Sequence, residues 1–182
     1  MKKIVLILCI CATCISVKAQ EKKNFMQKLA DKGFMFSSEV RTGGNFLNLK
    51  GKDFTVFDFI HSFGYNFNKY FTIRVPVDGE IALFEKDGVR DWARNGTIGL
   101  SLGVIPIRFE KDGSKDLVEL YIAAGSTYAH KYDWQYTYYD FGINFADGKV
   151  SKFQSGIGIR YYTARKSDNR MTVYVSLGYR FN

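Results

Sequence analysis

Apolar and polar side chains alternate along most of the chain from Phe34 onward, and the alternation is clearest in residues 171–182. One face of this segment carries Met171, Val173, Val175, Leu177, Tyr179 and Phe181, and the other carries Thr172, Tyr174, Ser176, Gly178, Arg180 and Asn182. Alternation of this length predicts a β-strand with one apolar and one polar face.

The same period of two recurs upstream and brings the number of predicted strands to eight. The regular segments are 57–65, 71–83, 139–145 and 153–161, and the less regular ones are 34–43, 96–109 and 117–128. The composition agrees with β-structure, because 12 Tyr and 16 Phe raise the aromatic share to 16% while proline is limited to two residues.

Turn-forming residues separate these segments in a regular order. Short turns are predicted at 66–69, 110–115 and 146–149, and they alternate with loops predicted at 43–52, 85–95, 130–136 and 165–169. Short turns at one end and longer loops at the other are typical of an antiparallel up-and-down barrel. An even number of strands places both chain ends on the same side.

The polar face decides whether such a barrel is soluble or membrane-bound. A soluble barrel, such as a lipocalin, has an apolar interior and a solvated, lysine-rich exterior. Here the polar face holds mainly Gly, Ser, Thr and Asn, and lysine falls in turns and loops. Four arginines and six acids add isolated charges, which suit a compensated network in a narrow lumen: Glu39, Arg41, Asp58, Arg74, Asp78, Glu80, Glu119, Asp140, Arg160 and Arg180.

Large aromatic side chains lie near the predicted strand ends, as in the interfacial girdles of membrane barrels. They are Tyr65, Tyr70, Phe71, Tyr161, Tyr179 and Phe181. Strands span hydrocarbon only as a closed barrel, since an open edge leaves backbone groups unpaired. The sequence therefore predicts an all-β, eight-stranded antiparallel transmembrane barrel over 34–182, with a lumen filled by side chains rather than a wide pore.

The N-terminus has the pattern of a secretory signal peptide. Two lysines precede an apolar run from Ile4 to Ile15, and small residues precede a cleavage site predicted after Ala19. Residues 1–19 are therefore expected to be removed. A membrane anchor is the alternative, but the apolar run is shorter than the roughly 20 residues that a spanning helix needs.

All three cysteines, Cys9, Cys11 and Cys14, fall inside the signal peptide. The mature chain is then expected to have no disulfide, thiolate nucleophile or cysteine metal site. A lipoprotein acylated at Cys14 is an alternative, although the residues before Cys14 fit that pattern poorly. Removal of the signal peptide's three lysines lowers the formal charge from +8 to near +5, and no basic block supports nucleic-acid binding.

Residues 20–33 are predicted to be a periplasmic lead-in, either partly ordered or a short amphipathic helix. In the helical alternative, Phe25, Met26 and Leu29 share one face, and Gly33 ends the helix.

The signal peptide, the segment GYNFNKYF (64–71) and the ending VSLGYRFN together resemble the OmpA/OmpX-like outer-membrane β-barrel domains of Gram-negative bacteria. The resemblance covers nearly the whole mature chain and implies a monomeric barrel in the cell outer membrane, surrounded by outer-membrane lipid and lipopolysaccharide. It also implies a C-terminal strand recognised by the barrel-assembly machinery, with the signal formed by Val173, Val175, Leu177, Tyr179 and Phe181. Asn182 follows, so the aromatic residue is penultimate here.

Candidate catalytic chemistry is sparse. The only histidines are His61, which shares a strand face with apolar residues, and His130 in a predicted loop. No G-x-S-x-G or H-E-x-x-H motif occurs, and no cofactor is expected. A lipid A acyltransferase-like enzyme is the alternative, with residues 21–32 as its helix. However, His61 and Ser62 are adjacent strand residues, which face opposite sides.

The expected function is therefore structural, adhesive or envelope-protective, acting through extracellular loops at 43–52, 85–95 and 130–136 on a rigid barrel. The candidate loop contacts are Asp91, Trp92, His130, Tyr132 and Trp134. A small, narrow channel is a second alternative to the structural function.

Overall fold

A computed structural model describes residues 28–45, 54–86, 89–111, 114–129, 135–147, 151–165 and 169–181. Eight strands form a closed barrel in sequence order, and β8 pairs with β1. The strands are β1 (Phe34–Gly44), β2 (Phe54–Asn66), β3 (Phe71–Lys86), β4 (Val89–Lys111), β5 (Ser114–Ala129), β6 (Tyr136–Asp147), β7 (Ser151–Ala164) and β8 (Arg170–Phe181).

Every strand pairs antiparallel with its neighbour in sequence, and the barrel is closed by the β1–β8 pairing that runs from Phe36 opposite Phe181 to Gly44 opposite Val173. Closure leaves no strand edge with unpaired backbone groups. The predicted eight-stranded up-and-down barrel is confirmed. Seven predicted segments fall wholly within observed strands, and the eighth, 171–182, does so up to Phe181, while Asn182 lies outside the described residues.

The loop predicted at 85–95 is wrong. β3 continues to Lys86 and β4 begins at Val89, so only Asp87 and Gly88 separate the two strands. Asp-Gly is a preferred dipeptide for a two-residue hairpin connection, so it allows the strands to continue almost to the turn. Asp91 and Trp92, predicted as loop contacts, therefore lie within β4.

The short lead-in before β1 ends as the sequence predicts. Residues 28–31 form a helical turn, and Gly33 follows it with a φ of 88°. A β-carbon at Gly33 would lie 3.0 Å from the backbone oxygen of Asn66, whose N–H donates to the Gly33 carbonyl at 2.8 Å. The left-handed conformation and this close approach both favour glycine. Residues 20–27 of the predicted lead-in lie outside the described residues.

The outer face of the barrel is apolar along its length. Outward side chains that are 40–66% exposed include Phe57, Phe59, Phe63, Phe71, Ile98, Leu100, Leu102, Phe141, Ile157, Val175 and Leu177. A continuous exposed apolar surface of this kind is unsuited to water, whereas it matches the lipid-facing band of an outer-membrane-type barrel. The soluble-barrel alternative does not fit this distribution. Among the described residues, no helix is long and apolar enough to cross a membrane.

Candidate functional site: the charged lumen

All ten charged residues predicted for the lumen point inward and are at most 8% exposed. Because side chains alternate along a strand, the same parity that turns the apolar residues outward turns these charges inward. They form three connected groups, each centred on one side chain that reaches across the barrel: Arg160, Arg41 and Glu119.

Arg160 on β7 is the centre of the first group. Its Nε and Nη2 donate to the two oxygens of Asp140 at 2.8 and 3.0 Å, which is a bidentate contact. Its Nη1 donates to Asp78 at 2.9 Å and to Asp58 at 3.3 Å. One guanidinium therefore links β7 to β6, β3 and β2 through the interior.

Glu80 extends this group toward the end of the barrel at which β3 connects to β4, which is called the β3–β4 end below. One of its oxygens accepts a hydrogen bond from the Tyr136 hydroxyl at 2.8 Å, and the other accepts one from the Asn95 amide at 3.0 Å. The nearest guanidinium nitrogen of Arg160 is 3.9 Å away. Glu80 is thus bound mainly by neutral donors.

Arg41 on β1 is the centre of the second group. It donates to Asp140 at 2.8 Å, to Glu39 at 2.9 Å and to the Tyr121 hydroxyl at 3.2 Å. Its guanidinium also lies 4.0 Å from the ring centroid of Tyr174, close enough for a cation–π interaction. Asp140 binds both arginines, so the first two groups are one network.

Glu119 on β5 is the centre of the third group, nearer the opposite end of the barrel, at which β2 connects to β3 and which is called the β2–β3 end below. Its carboxylate accepts hydrogen bonds from Arg180 at 2.7 Å and from the Thr72 hydroxyl at 2.5 Å. Arg74 lies 3.3 Å from the same carboxylate. Here one acid faces two arginines, the reverse of the balance around Arg160.

Five buried tyrosines and one lysine also fill the lumen, and they were not predicted as members of the lumenal network. They are Tyr121, Tyr136, Tyr138, Tyr162, Tyr174 and Lys152. The sequence could have identified them, because residues two apart on a strand point to the same face. Tyr138 is two residues from Asp140, and Lys152 is two residues from Gln154. The assignment of lysine to turns and loops is wrong for Lys152, which is 2% exposed.

Glycines on the inner face make room for these rings. A β-carbon at Gly142 would lie 2.7 Å from the ring of Tyr121, and one at Gly125 would lie 2.5 Å from the ring of Tyr138. Gly142 is the direct partner of Tyr121 on the neighbouring strand, and Gly125 is the direct partner of Tyr138. A narrow lumen can therefore hold these large aromatic side chains because each lies over a residue that has no side chain.

We expect Gly142→Val to lower the free energy of unfolding by about 1–3 kcal/mol, since the new side chain overlaps the Tyr121 ring and displaces its hydroxyl from Arg41. Chemical unfolding in lipid vesicles would measure the loss. Gly79→Val is the matched control, because a β-carbon at Gly79 meets no atom closer than 4.0 Å. Equal losses in the two variants would contradict the close packing of Tyr121 on Gly142.

Apolar layers lie on both sides of the charge network. Toward the β3–β4 end, Val56 and Ala82 pack with Tyr136, Tyr138 and Tyr162. Toward the β2–β3 end, Ile105 packs with Leu117 and Ala146. The charges are therefore enclosed between two layers of low polarity, which raises the energy of any ion passing along the lumen.

The cavity between the three charged groups is small. A cavity of about 20 Å³ lies between the groups of Arg41, Arg74 and Arg160, lined also by Ser101 and Tyr138. This is room for about one water molecule. Several of its polar lining atoms, including Ser101 Oγ and the Tyr138 hydroxyl, have no hydrogen-bond partner within the described parts of the protein. The cavity is suited to solvent rather than to a substrate.

The two residues of the acyltransferase alternative do not meet. His61 is exposed on the outer face, where its ring stacks on Phe36 with centroids 6.2 Å apart, and Ser62 is buried on the inner face. His130, Tyr132 and Trp134 lie outside the described residues. Within the ranges that the structure describes, no group of three or more His, Cys, Asp or Glu side chains is arranged to hold a metal ion.

The residues of the predicted assembly signal lie on the outer face of β8. Val175, Leu177 and Tyr179 are exposed, and Val173 and Phe181 are half-buried. Phe181 pairs with Phe36 where the barrel closes, and its ring centroid is 6.5 Å from that of Phe36. The five side chains thus form an outward-facing apolar row on β8. Their recognition by the assembly machinery stays a prediction.

No protein-family model matches the sequence, and no curated protein matches it. Solved structures that are similar include two transmembrane barrels. A de novo designed transmembrane β-barrel aligns with a TM-score of 0.39 and 13% identity over 81% of this chain and 93% of the design. The translocator domain of the autotransporter NalP from Neisseria meningitidis aligns with a TM-score of 0.28 and 12% identity over 92% of this chain and 70% of that domain. The resemblance to the OmpA/OmpX-like family stays a prediction.

Proposed function

We propose that this protein is an integral outer-membrane barrel with a sealed lumen, which serves as a rigid support for its extracellular loops in a structural or adhesive role. The apolar outer face and polar inner face support membrane insertion. Export through the signal peptide at 1–19 and assembly at the outer membrane belong to the same proposal, because closed barrels of this type are inserted there.

The main support for a sealed lumen is that the side chains of Arg160 and Arg41 reach across the interior. Their guanidinium groups bind carboxylates on β1, β2, β3 and β6, and apolar layers enclose them on both sides. An ion entering the lumen would have to break these contacts while losing its own hydration. The narrow-channel alternative therefore has less support than the sealed barrel.

We propose a non-enzymatic role. The lumen provides charges, but they are engaged with one another, and the cavity between their groups holds about one water molecule. The two residues that suggested an acyltransferase, His61 and Ser62, face opposite sides of the wall. Recognition is instead assigned to the loops, since loops held by a rigid scaffold commonly carry binding.

We expect the purified protein to produce no stepwise conductance in planar lipid bilayers, because the crossed lumen leaves no continuous aqueous path. Folding and insertion would be verified first by a heat-dependent shift in gel migration. Stable conductance steps from folded protein would contradict the sealed lumen and favour the narrow channel. An absence of the heat shift would instead contradict the membrane barrel itself.

An experiment in cells would distinguish loop-mediated binding from a purely structural role. A strain lacking the protein would be complemented with the wild type or with a variant in which residues 46–52 are replaced by a glycine–serine linker of equal length. Envelope integrity would be measured by detergent sensitivity, and adhesion by retention on surfaces. Restored integrity without adhesion supports loop binding on a structural scaffold, whereas full restoration of both excludes a binding role for this loop.

A further inference from the structure

Three carboxylates inside the barrel converge on one nitrogen atom. Nη1 of Arg160 donates to Asp78 at 2.9 Å and to Asp58 at 3.3 Å, and an oxygen of Glu80 lies 3.9 Å from the same nitrogen. The other two guanidinium nitrogens of Arg160 donate to Asp140. One positive charge therefore faces four acids.

The wider network around these acids also has more negative than positive groups. Asp140 joins Arg160 to Arg41, and Arg41 binds Glu39. Among the described residues, five acids thus share two arginines, and each acid is at most 8% exposed: Glu39, Asp58, Asp78, Glu80 and Asp140. Apolar layers enclose them on both sides. Uncompensated charge in such surroundings is costly, and a buried carboxylate commonly takes up a proton instead.

Two of the five acids each have an oxygen that lacks a hydrogen-bond partner. Oδ1 of Asp58 and Oδ1 of Asp78 are buried and accept no hydrogen bond from the described residues. On β4, directly opposite Glu80 and Asp78, the Asn95 side-chain oxygen and the Thr97 hydroxyl also lack a partner within the described ranges. Three of these four oxygens can only accept, so this part of the lumen is short of hydrogen-bond donors.

We propose that Asp58 and Asp78 form a proton-binding site in the lumen, in which the pair shares one proton at neutral pH, an inference that rests on the sealed lumen proposed above. The two carboxyl groups are neighbours because both contact Nη1 of Arg160. The bound proton supplies an O–H that donates to one of the oxygens without a partner. It also lowers the negative charge around Arg160 by one.

The other acids around Arg160 are less suited to hold this proton. Both oxygens of Asp140 accept from guanidinium groups, which favours its ionised form. The oxygens of Glu80 accept from the Tyr136 hydroxyl and the Asn95 amide, so neither lacks a donor.

The charged and titratable groups on the surrounding strands determine what else responds to pH. They are Glu39 and Arg41 on β1, Glu80 on β3, Glu119 and Tyr121 on β5, Tyr136, Tyr138 and Asp140 on β6, Arg160 and Tyr162 on β7, and Tyr174 on β8, while β4 contributes the neutral Asn95 and Thr97. Tyrosine stays neutral and arginine stays charged between pH ~5 and ~8. Changes of stability in that range therefore come from carboxyl groups.

The site predicts that the stability of the barrel falls as the pH rises. An unfolded chain in water ionises both carboxyls above pH ~4, whereas the folded barrel keeps one proton on the pair. Folding then takes up a proton, so the unfolding equilibrium constant should rise about tenfold per pH unit until the pair loses it. Urea unfolding in lipid vesicles between pH ~5 and ~8 measures this slope.

Asp58→Asn tests the site because an asparagine amide has nearly the shape of the acid, brings its own hydrogens and binds no proton. We expect D58N to remove about one tenfold step per pH unit from the wild-type slope and to be at least as stable as the wild type at pH ~8. D78N should flatten the slope in the same way. D140N is the matched control, since it breaks contacts with two arginines and should lower the stability while keeping the wild-type slope.

Infrared spectra of the folded protein provide a second measurement, because the carbonyl stretch of a protonated carboxyl group is distinct from that of a carboxylate. At neutral pH we expect this band in the wild type and in D140N, and its loss in D58N and D78N.

Equal pH slopes in D58N and the wild type would overturn the site, as would the absence of the band from the folded wild type. Loss of the band in D140N but not in D58N would overturn its assignment to the pair. A heat-dependent gel shift shows that each variant is folded. Conductance steps would contradict the sealed lumen itself, whereas a flat pH profile of a folded, non-conducting barrel contradicts the proton site alone.

Discussion

Replacing Arg160 by methionine is expected to destabilise the barrel by about 3–5 kcal/mol, because removing one member of a buried ion-pair network leaves uncompensated charge. Asp58 and Asp78 have Arg160 as their only ion-pair partner among the described residues, at 3.3 and 2.9 Å. Asp140 keeps its contact with Arg41. The loss is measured by urea unfolding of the protein folded into lipid vesicles.

Two further variants separate charge from packing. Arg165→Met makes the same substitution at an exposed position and should change the unfolding free energy by no more than about 0.5 kcal/mol. In the triple variant D58N/D78N/R160M, both orphaned charges are also removed, so a substantial part of the stability should return. A triple variant as unstable as R160M would show that the guanidinium acts by filling space, and the charge explanation would fail.

The fold was predictable from the sequence because two simple signals agree. A period of two identified every strand, and turn residues separated them at regular intervals, so the strand count and antiparallel order followed. The residues at which the strands begin and end could not be predicted from the same signals. In the 85–95 segment, charged residues and Asp87-Gly88 suggested a loop, whereas the structure extends β3 and β4 to Lys86 and Val89. A tight hairpin needs only two residues, and composition does not distinguish it from a loop.

The members of the lumenal network were also predictable, but their pairing was not. Parity alone places Asp58, Asp140 and Arg160 on the inner face, since inward and outward positions alternate strictly. Which carboxylates meet Arg160 depends on how far the strands are staggered and on the reach of a long side chain across the lumen. Asp58 and Arg160 are 102 residues apart and lie on strands that do not pair. Only closure of the barrel brings them together.

In the closed barrel, acids predominate in one part of the network and arginines in the other, which the sequence did not show. Toward the β3–β4 end, four acids surround Arg160: Asp58, Asp78, Glu80 and Asp140. Toward the β2–β3 end, two arginines, Arg74 and Arg180, contact Glu119, which is their one acidic partner among the described residues. A count of four arginines and six acids predicted a mutually compensated network, without showing how its charges divide. Arg160 contacts four of the acids, and Glu119 contacts two of the arginines, which is why Arg160 and Glu119 are the sensitive positions.

Replacing Glu119 by methionine is expected to destabilise the barrel by about 3–5 kcal/mol, for the opposite electrostatic reason to Arg160. Glu119 is fully buried, and it binds Arg180 at 2.7 Å and Arg74 at 3.3 Å. Its removal leaves two buried guanidinium groups with no acidic partner among the described residues. Because Arg180 belongs to the last strand, the substitution also releases the end of β8 from β5. Urea unfolding in vesicles measures the loss, and Glu85→Met, outside the lumen, is the control.

The E119Q and triple-methionine variants test whether unpaired charge is the cause. A glutamine side chain at position 119 keeps an oxygen that accepts hydrogen bonds, so E119Q should lose less stability than E119M. The variant R74M/E119M/R180M removes all three charges and should be more stable than E119M alone, since apolar replacement of a whole buried network is often neutral or stabilising. If the triple variant were less stable than E119M, the arginines would contribute by packing against the wall, and the electrostatic account of this end of the lumen would be wrong.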